Sequence, residues 1–193
     1  MAFDDDTHKW ALITGVSQGG LGDALTQELL SRDINVIATA PSIKNLDYLP
    51  WHAGLAKVQL DVTSPISIHA AVEEVTKITH GGLDLLINNA GYGYMIPMLD
   101  ADATAVAANF EVNVFGLLSV TQAFFPLLRH AQGVVVNQCS IASLPSGRQP
   151  FIGTYSATKA AVASLNDTMR VEFAPFGVKV SARLRRVQMK YGC

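Results

Sequence analysis

The chain has 193 residues, 49% hydrophobic and 16% charged, with a formal net charge of −2 and a pI near 6.2. That length fits one domain able to bury a sizeable core, and the near-neutral balance gives no electrostatic case for nucleic acid. No run approaches the ~18 uninterrupted apolar residues of a membrane span, and the two cysteines are too few for a disulfide framework.

The acidic start, MAFDDDTHKW, lacks the basic and apolar regions of a signal peptide, so a reduced, cytoplasmic setting is expected. The five histidines show no metal-ligand spacing with each other or with cysteine, and no metal site is expected. Lys9 to Thr14 is a short apolar run ending in glycines, which predicts a buried strand. The loop Gly15-Val16-Ser17-Gln18-Gly19-Gly20-Leu21-Gly22 follows, then a helix over 21–31. Strand, glycine loop and helix in this order are the context a phosphate-binding turn requires. Glycines let the backbone approach a pyrophosphate, and the helix start offers unpaired N–H groups and a favourable dipole. A glycine-rich turn without a ligand is the simpler alternative for such a motif in isolation.

The second strand is predicted over 35–40. Dinucleotide sites often carry an acid at its end for the ribose hydroxyls, which favours NAD. Thr39, Ala40, Pro41 and Ser42 stand there instead, so a 2′-phosphate meets no repulsion. NADP(H) is the expected cofactor, with Lys44 as a partner for that phosphate. A third strand runs over 55–60 and leads to Asp61 and Val62. Ser64 then caps a helix with Pro65 at its first position, and Ile68, Ala71, Val72, Val75 and Ile78 recur at helical intervals. The fourth strand, 83–87, runs into Asn88-Asn89-Ala90-Gly91. Small residues after a strand allow close approach to a ligand, though a polar turn explains them equally simply.

A long helical region is predicted over 103–130 with Asn113 in its middle. An interior Asn costs helix propensity, so it faces either a site or solvent. Val134 to Val136 lie in the fifth strand, which Asn137-Gln138-Cys139-Ser140 ends. Pro145, Gly147, Pro150 and Gly153 exclude regular structure from 141–154, and a sixth strand begins at Val178. Between them lies the helix TYSATKAAVASLNDTMRVEF. Residues four apart share a helix face, so Tyr155 and Lys159 can point into one cleft. A phenol is only about one part in a thousand ionised at neutral pH, and a neighbouring cation lowers its pKa. Such a pair can give a proton to a carbonyl or take one from an alcohol.

Strands alternating with helices, without repeat or linker, predict a single α/β domain: a doubly wound parallel sheet of Rossmann type. The glycine loop, Asp61, the NNAG turn, Ser140 and the Tyr155 helix all fall at carboxyl ends of strands, where such sheets bind ligands.

These pieces, TGVSQGGLG, the DV of LDVTS, NNAG, the Asn of NFEVNVFG and YSATK, stand in an order that resembles the short-chain dehydrogenase/reductase family, over roughly residues 9 to 180. Within it, GVSQGGLG, NNAGYGYMIPMLDAD and VEFAPFGVKV are similar to fungal NADPH-dependent 1-acyldihydroxyacetone-phosphate reductases. The resemblance implies Tyr155 as acid/base, Lys159 on the nicotinamide ribose, Ser140 on the substrate carbonyl and Asn113 supporting a proton-relay water. It implies Gly15, Ser17, Gly19, Gly20, Leu21 and Gly22 around the phosphates, Asp61 and Val62 at the adenine, and Asn89, Ala90 and Gly91 along the adenosine half. A small carbonyl or alcohol substrate, of lipid-like or secondary-metabolite type, and a homo-oligomer are implied as well.

Three features depart from the family pattern. Gly19, Gly20 and Gly22 imply one extra residue in the glycine loop. Ser140 stands two residues further from Tyr155 than is usual, and Ser143 one residue nearer; Ser140 is preferred because a strand end is rigid. After 180 the chain reads SARLRRVQMKYGC, a basic tail in place of the family's continued sixth strand, cofactor loop, lid and seventh strand. The expectation is a fold shortened after the start of its sixth strand. The alternative to an enzyme is a catalytically silent remnant with at most nucleotide binding.

Overall fold

The computed structural model describes residues 9–147 and 149–185. The acidic start through His8 and the basic residues from Arg186 onward lie outside the described residues. Among the described residues, six parallel strands form one sheet in the order β3-β2-β1-β4-β5-β6: β1 Trp10–Ile13, β2 Asn35–Ala40, β3 Leu55–Gln59, β4 Leu85–Asn88, β5 Val134–Ser140 and β6 Lys179–Arg185. The order reverses between β1 and β4, which opens a crevice at the carboxyl ends of those two strands. The expected doubly wound parallel sheet is therefore present. The sixth strand, however, continues to Arg185, with Ser140 opposite Arg185 in register. A stretch carrying Lys179, Arg183 and Arg185 reads poorly as a strand.

Helices α1 Leu21–Leu30, α2 Pro65–Ile78, α3 Ala103–Phe110, α4 Leu117–Ala131 and α5 Gly153–Glu172 connect the strands. Ser64 and Pro65 open α2 as expected: Ser64 Oγ accepts the Ser67 N–H at 3.3 Å. One face of the sheet packs Leu12, Ile37, Leu86 and Val135 against α2, α4 and α5, around the fully buried Phe124. The other packs Ile13, Val36 and Ile87 against α1 and the turn Ile43–Leu46. The helical run Ala103–Ala131 is long and apolar enough to cross a membrane, but its apolar side, including Val120 and Leu128, is buried in this core.

Two stretches differ from the sequence expectation. The predicted single helix over 103–130 is interrupted by a π-turn at Glu111–Gly116. Segment 141–154 is not wholly irregular. It contains single 3₁₀ turns at Ile141–Ser143 and Pro145–Gly147 before α5 begins at Gly153.

Candidate active site

The glycine loop is built to leave room. Gly15 has φ +67°, and a Cβ there would stand 2.7 Å from Ala90 Cα. A Cβ at Gly22 would stand 3.0 Å from both Val16 Cα and Asn89 Nδ2. Gly20 caps α1 without a side chain, so no side-chain cap covers the first-turn N–H groups. Thr14 and Asn89 join this loop to the NNAG turn. Thr14 Oγ1 accepts from the Asn89 and Ala90 N–H groups at 3.0 and 2.9 Å, and Asn89 Nδ2 donates to the carbonyls of Thr14 and Gly15 at 2.9 and 3.0 Å. The result is a backbone-lined cradle at a helix start, a setting that favours anions in general. Thr14 was not among the expected residues; its place as the last residue before the glycines was the available signal.

Ser17 and Gly19 are exposed on the rim of the cradle, and Leu21 opens α1. Lys44 is exposed in the turn Ile43–Leu46, directly after β2. Asp61 holds its own turn: Oδ1 accepts from Thr63 N and Thr63 Oγ1 at 2.9 and 2.8 Å. Val62 is buried against Gly116, whose added Cβ would lie 2.7 Å from Val62 Cγ2.

The chemical residues meet on the other side of the crevice. Lys159 is 4% exposed, and its Nζ donates to the Gln138 carbonyl at 2.8 Å while lying 5.9 Å from the centre of the Tyr155 ring. Burial pushes the Lys159 ammonium below its ordinary pKa, and the neighbouring Cys139 thiol works partly against that. A Cβ at Gly91 would come 2.9 Å from Asn113 Oδ1 and 3.7 Å from Lys159 Nζ, so these three expected residues share one small space. Asn113 faces inward. Its Oδ1 accepts the Tyr92 N–H at 3.0 Å, and its Nδ2 donates to the Tyr92 carbonyl at 2.9 Å and to Thr158 Oγ1 at 3.0 Å. The side chain thus clamps the segment following NNAG onto α5.

Ser140 ends β5 at 1% exposure, and its Oγ accepts the Ala142 N–H at 3.2 Å. Ser143 Oγ donates to the Ser140 carbonyl at 2.7 Å, which spends the Ser143 hydroxyl inside the turn. That turn packs against α5, the helix that carries Tyr155. Behind it, Asn137 accepts from Asn88 Nδ2 at 2.9 Å and donates to Asn166 on α5 at 3.1 Å. These buried amides, unlike the site itself, had no recognisable sequence spacing.

A family model described as short chain dehydrogenase matches residues 9–184. The chain belongs to the short-chain dehydrogenase family. It is 46% identical over 171 residues to a short-chain dehydrogenase of Penicillium ochrochloron, covering 88% of this chain and 62% of that protein. It is 39% identical over 178 residues to the NADPH-dependent 1-acyldihydroxyacetone phosphate reductase of Schizosaccharomyces pombe, covering 92% of this chain and 59% of the relative. The chain thus spans about three fifths of the length of these curated relatives. Among solved structures, a short-chain dehydrogenase of Burkholderia cenocepacia in complex with NADP superposes with a TM-score of 0.83 at 32% identity, covering 94% of this chain and 73% of that one. The short-chain dehydrogenase fold, with the glycine loop and YSATK at one sheet edge, accounts for the described architecture.

Proposed function

We propose that the protein is an NADP(H)-dependent oxidoreductase that exchanges a hydride between the nicotinamide and a carbonyl or secondary alcohol. It acts as a ketone reductase on lipid-like or secondary-metabolite substrates, in a cytoplasmic setting. The observation that carries the reading is the buried Lys159 ammonium, held by the Gln138 carbonyl 5.9 Å from the Tyr155 ring with Gly91 and Asn113 beside it.

The glycine loop and Lys159 would hold a nicotinamide dinucleotide, which would supply the hydride when bound. The protein's own part is proton handling and alignment. Tyr155 gives its phenolic proton to the carbonyl oxygen, and the Lys159 charge favours the phenolate left behind. Ser140 orients the carbonyl from a rigid strand end. Asn113 holds the Tyr92 backbone and Thr158 in place, and with them the first turns of α5. Reduction suits Tyr155 at neutral pH because a phenol is protonated there by default. The exposed Tyr92, Met95, Met98 and Leu99, with Phe151 whose carbonyl accepts the Ile96 N–H at 2.8 Å, give the crevice mouth an apolar rim in keeping with a lipid-like substrate.

The choice of NADP(H) rests on the missing carboxylate after β2 and on Lys44. Fluorescence titration tests it: NADPH is expected to bind at least about tenfold more tightly than NADH, about 1.4 kcal/mol. Equal affinities would remove the NADP preference, and no binding of either would remove the cofactor reading.

A further inference from the structure

The extra residue of the glycine loop needs something to hold it. Gly19 has φ +69°, and a Cβ there would meet nothing within 4 Å, so packing does not fix it. Its N–H donates to Asp23 Oδ2 at 2.9 Å. The other carboxylate oxygen of Asp23 accepts from Gln27 Nε2 at 2.8 Å, one turn further along α1. Asp23 is only 7% exposed, so protein donors replace most of its water. The next residue closes the turn, with the Gly20 N–H on the Ser17 carbonyl at 2.9 Å.

A carboxylate beside a phosphate cradle has a cost, since it repels the incoming anion and competes with it for the helix dipole. An exposed acid elsewhere in the first turn would serve the dipole without being buried. The bond to Gly19 is what Asp23 alone supplies, and charge-assisted bonds of this kind are the stronger ones. We infer that Asp23 is a positioning residue of the dinucleotide site, pinning the extra residue of the glycine loop so that the N–H groups at the start of α1 stay open to the pyrophosphate. This rests on reading the loop as a dinucleotide site.

The test is fluorescence titration of the full chain with NADPH and, by competition, with 2′-AMP, which lacks the pyrophosphate. Asp23→Ala is expected to weaken NADPH about tenfold while leaving 2′-AMP within about twofold. Asp23→Asn, which keeps an acceptor for the Gly19 N–H, is expected to recover most of the NADPH affinity. Deleting Gly19 should abolish the effect of Asp23→Ala, because nothing is left to pin. If the alanine variant does not fold, Asp23→Ser keeps a polar first-turn residue but is too short to reach Gly19, and the same losses are read from it. NADPH affinity equal to or tighter than wild type in these variants overturns the inference, as does an equal loss with and without Gly19. A loss shared equally by 2′-AMP would also overturn it, by showing general loosening. Wild-type chain that binds no dinucleotide would instead remove the cofactor reading itself.

Discussion

At 4% exposure the Lys159 ammonium has given up most of its water, and the Gln138 carbonyl is a partial replacement. Its pKa is lowered in the fold, so between that lowered value and the ordinary lysine value the unfolded chain binds more protons. Stability therefore rises with pH through that window. Cys139 acts oppositely, because burial raises its thiol pKa and the unfolded chain loses that proton first. The comparison is cleanest with Cys139→Ala present. There Lys159→Met is expected to flatten the alkaline rise and to stay within about 1 kcal/mol of its parent at neutral pH, measured by urea unfolding across pH. Stability falling through the window in the parent would mean that the ammonium is better solvated than its burial implies. Ser140 and Ser143 separate by kinetics: Ser140→Ala is expected to lower kcat about 100-fold, and Ser143→Ala less than about threefold. The reverse order would transfer the carbonyl role to Ser143.

Among the elements, the π-turn Glu111–Gly116 shows what a sequence hides. The helical run was legible, but a single wider turn within it has no sequence signature, and the buried Asn113 lies in that turn. The same local blindness affected 141–147, where Pro145 and Gly147 read as breakers yet sit in 3₁₀ turns. It also affected β6, whose charged residues mask the strand. The glycine loop, NNAG and YSATK were legible because each requires particular residue types at fixed spacing. The bonds that hold them, from Thr14, Asn137 and Asp23, were not, since they join residues distant in sequence or reach across a turn of unusual length. Gly116 offers a direct check of the π-turn. A Cβ there would lie 2.7 Å from Val62 Cγ2 and 3.0 Å from the Val62 carbonyl, so Gly116→Ala is expected to destabilise by about 1–3 kcal/mol in thermal or urea unfolding. An unchanged midpoint would mean that Val62 and the turn separate freely.

Among the described residues, the sheet is covered unequally. Along β5, Val135, Asn137 and Cys139 are buried under α4 and α5, whereas Val134, Val136 and Gln138 on the other face are half-buried. Among the described residues α1 and the turn Ile43–Leu46 pack on that second face, toward β1 and β2. Val135→Ala is therefore expected to cost about 2–3 kcal/mol and Val136→Ala under about 1 kcal/mol, as read from urea midpoints. Equal costs would mean that the second face is as well packed as the first. What the two faces support is the crevice between β1 and β4, with the glycine cradle on one side and Tyr155 and Lys159 on the other. On the proposed function, these halves work together on one bound dinucleotide. The most direct measurement is the ketone-dependent loss of NADPH absorbance by the wild-type chain and by Tyr155→Phe, each first shown to bind NADPH. Turnover is expected for the wild type and a loss of about 100-fold or more in Tyr155→Phe, with NADPH affinity retained. Equal rates in the two, or NADPH binding without turnover on any ketone, would contradict the proposed function.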